Sequence, residues 1–592
     1  MDIINAELEV EGQKFDNCTS IVLKQRFNEH HEFTCRYLDY NGSDASLKLT
    51  SFQHNVGKTA IIRFFGEGGS EETFYEFQGI ICEACIEVND SGSYSELVVK
   101  GYSTTIQLES GEHFATFHEK KISDIVSKIA QSAGLTVKVK TKYNTVLAYK
   151  CQYKESSFNF LNRLSSDYGE FFYYDGKNLI FGNPENSESF ELTYGENILG
   201  LQLSLRAFPV KFSNYDFDEK KDQSIAGQTK DKVTGLGQFS SNIFGKSQQL
   251  FSKSITGPAR NFVDNGSSLN TLNDIYQAAI AANMEVLKVK TDNPKISIGS
   301  VLKLKMGTST GTEKSLEDYG KFLVTSIEHT MTGSGYTNSI EAIPAKLEVI
   351  PVNNVLIPIA ETQLAVVKDN DDQDKMGRVQ VQMLWQTKDS EKTDWISVMT
   401  PEAGDGQLGK NRGLLCIPEI NDKVMIGFRY NDPDRPFVLG SVFTGKTGQG
   451  GGKENKIKSF TTQTGSIIKF EDKKISIIDA SKENKILFDG VGKIEIIGKD
   501  EITLTCGQSS ISMKKDGTIT IKGKEVTIDA TSKSTVKSGQ ASFTAETSGD
   551  IKMAGTNAEV SGMMGAKVKG NATAEISASG QTTVKGAIVM IN

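Results

Sequence analysis

A chain of 592 residues is too long for one hydrophobic core and predicts about three to five domains. Its formal charge of −8, spread over 24% charged residues, supplies no basic field for a phosphate backbone, so no nucleic acid partner is expected. No uninterrupted run of about 18 apolar residues occurs, which excludes a membrane-spanning helix.

In residues 1–350 strand-like alternation dominates. Thr59–Phe65, Phe77–Val88 and Glu96–Tyr102 are rich in β-branched and aromatic residues and bounded by Gly, Asn, Asp and Ser, the pattern of an antiparallel sheet or barrel. A first helix is predicted over Ser123–Ala133, where Ile122, Ile125, Val126, Ile129 and Ala133 recur at helical spacing before Gly134. A second runs from Ser157 to Tyr168, with Leu161, Leu164 and Tyr168 on one face and Gly169 as its stop. A hairpin follows: Glu170–Tyr174, a turn at Asp175-Gly176, then Asn178–Phe181. A third helix is predicted over Leu272–Leu287, and residues 214–268, rich in Ser, Gly, Gln, Asp and Lys, read as a long exposed insertion.

From about residue 356 short strands alternate with turns. Arg378–Trp385, Trp395–Val398, Gly413–Ile417, Lys423–Phe428 and Pro436–Val442 supply the five strands of a small closed barrel, an OB-fold spanning 356–444. Both tryptophans, Trp385 and Trp395, fall in it and are expected to fill its core or lip. A glycine-rich joint occupies 445–456.

Residues 457–592 hold the most specific signal, an apolar-x-small triplet on a nearly fixed period. Val560-Ser561-Gly562, Val568-Lys569-Gly570, Ile576-Ser577-Ala578 and Val584-Lys585-Gly586 recur in steps of eight. Upstream, Ile467–Phe470, Ile475–Ile478, Ile486–Phe488, Ile494–Ile497 and Ile502–Leu504 are wider strands of the same kind. Eight residues are fewer than the roughly 20 that one coil of a single-chain β-helix needs, so each chain supplies one wall and three chains wound together close it. Val560, Val568, Ile576 and Val584 then stack along the axis while Lys, Ser and Thr face water.

The barrel motifs Gly377–Gln382, Trp395–Val398, Ile417–Val424 and Asn431–Val442, together with Tyr153–Leu164 and Gly169–Tyr174, resemble the VgrG (valine-glycine repeat) spike proteins of type VI secretion systems. That family is related to the hub and spike proteins of contractile phage tails. The resemblance covers nearly the whole chain. It implies a mainly β fold with some α: a phage-hub-like head at 1–350 made of two barrel-like subdomains with helices, an OB-fold neck, and an intertwined trimeric β-helix (β-prism) needle. It also implies a homotrimer that adapts a hexameric, Hcp-like tube to a threefold needle, with baseplate proteins and effectors as further partners and a target membrane punctured mechanically. A PAAR-type tip protein would sit on Ile588, Val589, Met590, Ile591 and Asn592. The equivalent hub or spike of a phage tail or an extracellular injection particle is the alternative reading, and a β-solenoid glycan-degrading enzyme the third.

Other motifs point to no chemistry. Gly57-Lys58-Thr59 lacks the upstream glycine of a phosphate-binding loop, since Phe52 stands there. Gly307-Thr308-Ser309-Thr310-Gly311 is followed by a polar run where a nucleophile elbow needs a buried helix, and reads as a hairpin loop. Cys82 and Cys85 lie three apart in a strand and point to opposite faces, so they are expected as buried structural thiols. The seven cysteines together predict reduced, buried thiols and folding in a reducing compartment. All six histidines lie in the head, so the needle has no ligand set for a metal of its own. No catalytic residue, cofactor or metal is expected, nor any intrinsic toxicity, because the repeats run to Asn592 without a further domain. Met1–Glu7 has no basic region leading into an apolar stretch, so the chain is expected to be made in the cytoplasm and then secreted or injected without a signal peptide.

Overall fold

The computed structural model describes residues 4–15, 18–39, 49–50, 52–66, 73–88, 95–183, 188–263, 265–310, 313–352, 355–388, 391–407 and 409–591. The chain divides into two compact units, Met1–Gly448 and Gln449–Asn592. Strands dominate both. Among the described residues the α-helices longer than two turns are α1 (Ile122–Ser132), α2 (Ser157–Tyr168), α3 (Gln238–Leu250) and α4 (Gly266–Ala282).

The first unit is built on a 13-stranded sheet, mostly antiparallel, that joins strands from both ends of the head. Cys18–Arg26 pairs with Glu32–Asp39 on one side and with Glu313–Thr332 on the other, so the N-terminal strands and those past residue 300 share one ladder. Among the described residues, three large apolar clusters and a smaller one around Val210, Phe244, Ala281 and Met284 fill the head. One lies under the late strands around Leu302, Phe322 and Ile340, one under the N-terminal strands around Phe33, Ile62 and Phe77, and one around the helices at Ile125, Leu161 and Tyr276.

Local signals account for the helices. Ser156 caps α2 by accepting the Asn159 amide at 3.1 Å, and Gly169 closes it at φ 68°, where a Cβ would meet Ile275 Cγ2 at 2.6 Å. The Leu272–Leu287 expectation is corrected: α4 spans Gly266–Ala282, and Leu287 lies in the strand Glu285–Thr291. The apolar run continues through the break at Asn283, so helix and strand periods merged in the sequence.

Residues 214–268 are also corrected, from exposed insertion to folded module. Phe212–Asp218, Gln223–Gln228 and Ile255–Pro258 form a three-stranded sheet, backed by α4, and α3 buries Phe244. Gly307–Thr310 ends one strand of a long hairpin and Glu313 begins the next.

In the barrel, Gln363–Asp369 pairs with both Gln380–Met383 and Lys423–Phe428, and the latter pairs with Pro436–Ser441. Ile396 bridges to Val379 and Val398 to Val438, which ties the two edges together. These four strands and the bridging segment Ile396–Val398 close around Ala365, Val367, Val381, Met383, Val424, Ile426 and Val438. The membership differs from expectation: Gln363–Asp369 is a barrel strand, whereas Gly409–Gly413 pairs with Ala403–Gly406 in a separate exposed ribbon and residues 414–417 form no strand.

The second unit is a set of antiparallel meanders. Five strands run from Ile457 to Ile497, three from Glu501 to Lys522 and three from Lys533 to Ala554. Ser509–Lys514 belongs to this series and was not anticipated. Residues 555–591 carry no strand paired within the chain.

Candidate functional site

Two features stand out, one in each unit. The first is a buried ionic junction where the head meets the barrel. The turn Asp432-Pro433-Asp434-Arg435-Pro436 leaves the barrel and lies against the strand Leu147–Glu155 and helix α2. Asp434 Oδ1 accepts the Cys151 amide at 2.7 Å, and its Oδ2 sits 2.8 Å from Lys150 Nζ. Lys150 also reaches Asp167 at 3.3 Å and donates to Asn261 Oδ1 at 3.0 Å. Arg163, on α2, donates to Glu155 Oε1 at 2.6 Å and to the Cys151 carbonyl at 2.7 Å.

Arg435 extends the same network. It contacts Asp216 at 3.0 Å and Asp432 at 3.1 Å, and donates to the Ala259 and Asn261 carbonyls at 2.9 and 2.8 Å. Lys150, Glu155, Arg163 and Arg435 are all buried. A single charge in such a place costs several kcal/mol, so the pairing is what makes the junction tolerable. Burial lowers the Lys150 ammonium, but the carboxylates, Asp434 foremost, outweigh it and hold the group well above its ordinary value. Burial, reinforced by the neighbouring Asp434, pushes the Asp432 carboxyl up to about 6.

The folded module at 212–258 supplies a strap to this junction. Besides Asp216, Glu219 bonds Ser397 and pairs with Arg429 at 2.6 Å, and Lys220 pairs with Asp374 at 2.9 Å. An apolar contact completes it: the Trp385 ring lies tilted 5.3 Å from that of Phe114 and packs with Tyr149, Tyr153 and Phe428, while its indole N–H donates to Gln363 at 2.9 Å. Trp385 therefore sits at the barrel lip facing the head. The carboxylates of the junction are engaged by cations and amides, an arrangement that fastens two domains.

The second feature is the wall formed by residues 449–591, in which no residue is buried. Large apolar side chains stand open on strand after strand: Ile494 63%, Ile519 66%, Val536 64% and Ile551 68% exposed. The predicted axis residues Val560, Val568, Ile576 and Val584 are 68–79% exposed, and Ile588, Val589, Met590 and Ile591 are exposed too. Asn592 lies outside the described residues.

The cysteines differ from expectation. Cys35 and Cys151 are buried, Cys18 and Cys85 half-buried, and Cys82, Cys416 and Cys506 exposed, all as free thiols. Cys82 faces solvent because the ladder shifts register between Ile81 and Glu83, turning it out of the strict alternation. Lys58 pairs with Glu11 in an ordinary surface contact. Among the described residues no group of three His, Cys, Asp or Glu side chains is disposed to hold a metal ion, and no helix is long and apolar enough to cross a membrane.

Residues 363–443 match the family described as the type VI secretion system/phage-baseplate injector OB domain, and residues 1–330 match the Alg8 N-terminal domain. Two Pseudomonas aeruginosa type VI secretion system spike proteins, VgrG1b and VgrG1c, are 22% and 21% identical over 71% and 74% of this chain. The aligned part spans 59% and 63% of those relatives' own length. Among solved structures, an E. coli type VI secretion component aligns over 74% of this chain and 99% of its own, at 13% identity and a TM-score of 0.46. A Francisella PdpA-VgrG complex aligns over 88% of both chains at 8% identity and a TM-score of 0.47.

Proposed function

We propose that this chain, which belongs to the Alg8 N-terminal domain family and to the VgrG spike proteins related to contractile phage-tail hubs, is the non-enzymatic, trimeric puncturing spike of a contractile injection machine. One observation carries the reading: residues 457–554 form strand after strand, and no residue of 449–591 is buried. A sheet persists in water only when one face is covered. Three copies set wall to wall cover that face and bring Val560, Val568, Ile576 and Val584 onto one axis.

In this reading residues 1–350 are the head that adapts a hexameric tube to threefold symmetry, 356–444 the neck, 445–456 the joint and 457–592 the needle. The junction around Lys150 and Asp434 transmits the thrust of a contracting sheath from head to neck without slippage. Ile588–Asn592 present an apolar end for a separate tip protein, and effectors ride on the assembly into the target. The chain is assembled in the cytoplasm and leaves with the machine. Of the related settings, a type VI secretion system is favoured by the spike relatives.

Sedimentation equilibrium of the purified chain tests the premise. A particle of three times 64.7 kDa is expected. A stable monomer with a folded C-terminal unit overturns it. Export is tested by following the chain into the medium, where it should appear only from cells whose contractile sheath is intact.

A further inference from the structure

We propose that Lys150 and Asn261 are the two halves of an isopeptide bond, formed when the Lys150 amine displaces ammonia from the Asn261 carboxamide. The bond joins the strand Leu147–Glu155 to the segment between Ile255–Pro258 and α4. Lys150 Nζ donates to Asn261 Oδ1 at 3.0 Å, so the nucleophile already touches the group it attacks. Both residues are buried, and the two meet away from water. Asn261 is fixed from two further sides: its Nδ2 donates to the Tyr276 hydroxyl at 2.9 Å, and its backbone carbonyl accepts from Arg435 at 2.8 Å. Asp434 lies 2.8 Å and Asp167 3.3 Å from the same Nζ, with the Tyr168 ring 5.4 Å from it. Holding an amine, an amide and a proton acceptor in one dry site replaces a bimolecular encounter with a step inside one molecule.

A freshly folded chain carries the ionic junction, with Lys150 as an ammonium. Along the 2.8 Å contact Asp434 takes one proton, leaving an amine and a carboxylic acid. The Nζ lone pair attacks Asn261 Cγ, the Nζ–Cγ bond forms, and the carbonyl electrons move onto Oδ1. One proton passes from Nζ to Nδ2 by way of Asp434, the Cγ–Nδ2 bond breaks, and the carbonyl re-forms. Ammonia departs, takes up the proton still held by Asp434 and leaves as ammonium. The carboxylates hold Lys150 mainly in its charged form, so the amine is scarce and the reaction slow, but each chain needs it only once. Arg163 stays 3.8 Å from Asp434 and 4.0 Å from Asp167, so both carboxylates keep a cation after Lys150 loses its charge. The chemistry is independent of the spike reading; only its use, bracing the junction under thrust, rests on it.

The test follows the intact mass of the purified full chain through prolonged incubation at neutral pH. Loss of one ammonia is expected, and a tryptic map should join Tyr143–Lys154, uncut after Lys150, to Asn261–Lys288. Lys150→Arg and Asn261→Ala should each leave these segments unjoined, and the linked wild-type chain should run ahead of both on a denaturing gel. A wild-type map that returns Tyr143–Lys150 and Asn261–Lys288 as separate peptides overturns the bond. So does ammonia lost with the two peptides apart, which marks cyclisation of an asparagine instead. A variant that fails to fold alters neither outcome, because the wild-type map decides alone. Either result leaves the trimer measurement untouched, so the two readings fail separately.

Discussion

At the scale of single residues, the junction depends on buried charges that share their partners. Asp434 engages Lys150 and the Cys151 amide together, and its removal takes the nearer of two carboxylates from a buried ammonium, leaving Asp167 at 3.3 Å. Asp434→Ala should therefore cost about 3–5 kcal/mol, the usual loss when one member of a buried pair is deleted, read as a fall in the urea midpoint of the head and neck. His329 sets a different dependence. It is wholly buried between the rings of Tyr75 and Phe64, donates to or accepts from Tyr336 at 2.6 Å, and burial alone brings it down to about 3. An unfolded histidine binds its proton near pH 6.5, so this group contributes stability above that pH and loses it as the pH falls toward about 3. His31, also brought down to about 3 by burial, acts in the same direction, while Asp432, raised to about 6, acts in the opposite one. A comparison with a variant isolates His329: between about pH 4 and 6 the slope of stability against pH should be shallower in His329→Asn than in wild type by about 1.4 kcal/mol per unit. Equal slopes in denaturation series would show that His329 is hydrated in the folded chain.

At the scale of elements, the parts visible in the sequence are those whose causes are local. Helix α2 is legible from Leu161, Leu164 and Tyr168 on one face and the glycine after it; the serine before it, which acts through the backbone within a turn, is a local signal the structure adds. Its cap has a modest, checkable worth: Ser156→Ala should cost about 1 kcal/mol in the same urea melt, well below the loss from Asp434→Ala. The strap at 212–218 escaped notice because its inward residues are Asp216 and Asp218, so the alternation is of acid with aromatic instead of polar with apolar. Only the distant Arg435 makes Asp216 an interior residue, and nothing near it in sequence announces that partner. The junction was half visible for the same reason. Tyr153–Leu164 and Asn431–Val442 each stood out as motifs, yet their meeting through Asp434, Lys150 and Arg163 is a property of the fold. The exposed Cys82 is a smaller case, where one bulge defeated a strict two-residue period.

At the scale of the whole molecule, the proposed needle makes an unequal demand on its two sections. From Ile457 to Ala554 the chain pairs strands with itself and needs partners only to cover an apolar face. From 555 to 591 it pairs with nothing of its own, so partner chains must supply backbone hydrogen bonds as well. Burying one Val or Ile contributes about 1.5–3 kcal/mol, so a threefold layer is worth about 5–9 kcal/mol before chain entropy is subtracted. One charged layer should thus open the narrow section locally without separating the trimer. Val568→Asp is expected to leave a particle of three times 64.7 kDa while raising hydrogen exchange and protease cleavage around residues 560–576. Adding Val560→Asp, Ile576→Asp and Val584→Asp should extend that lability to the C-terminal end and abolish capture of a tip protein there, with the trimer still held by the wider strands upstream. If the fourfold variant resists protease and exchanges as slowly as wild type, these residues do not line a shared axis. The period of eight would then reflect a surface pattern on a wall closed by other means.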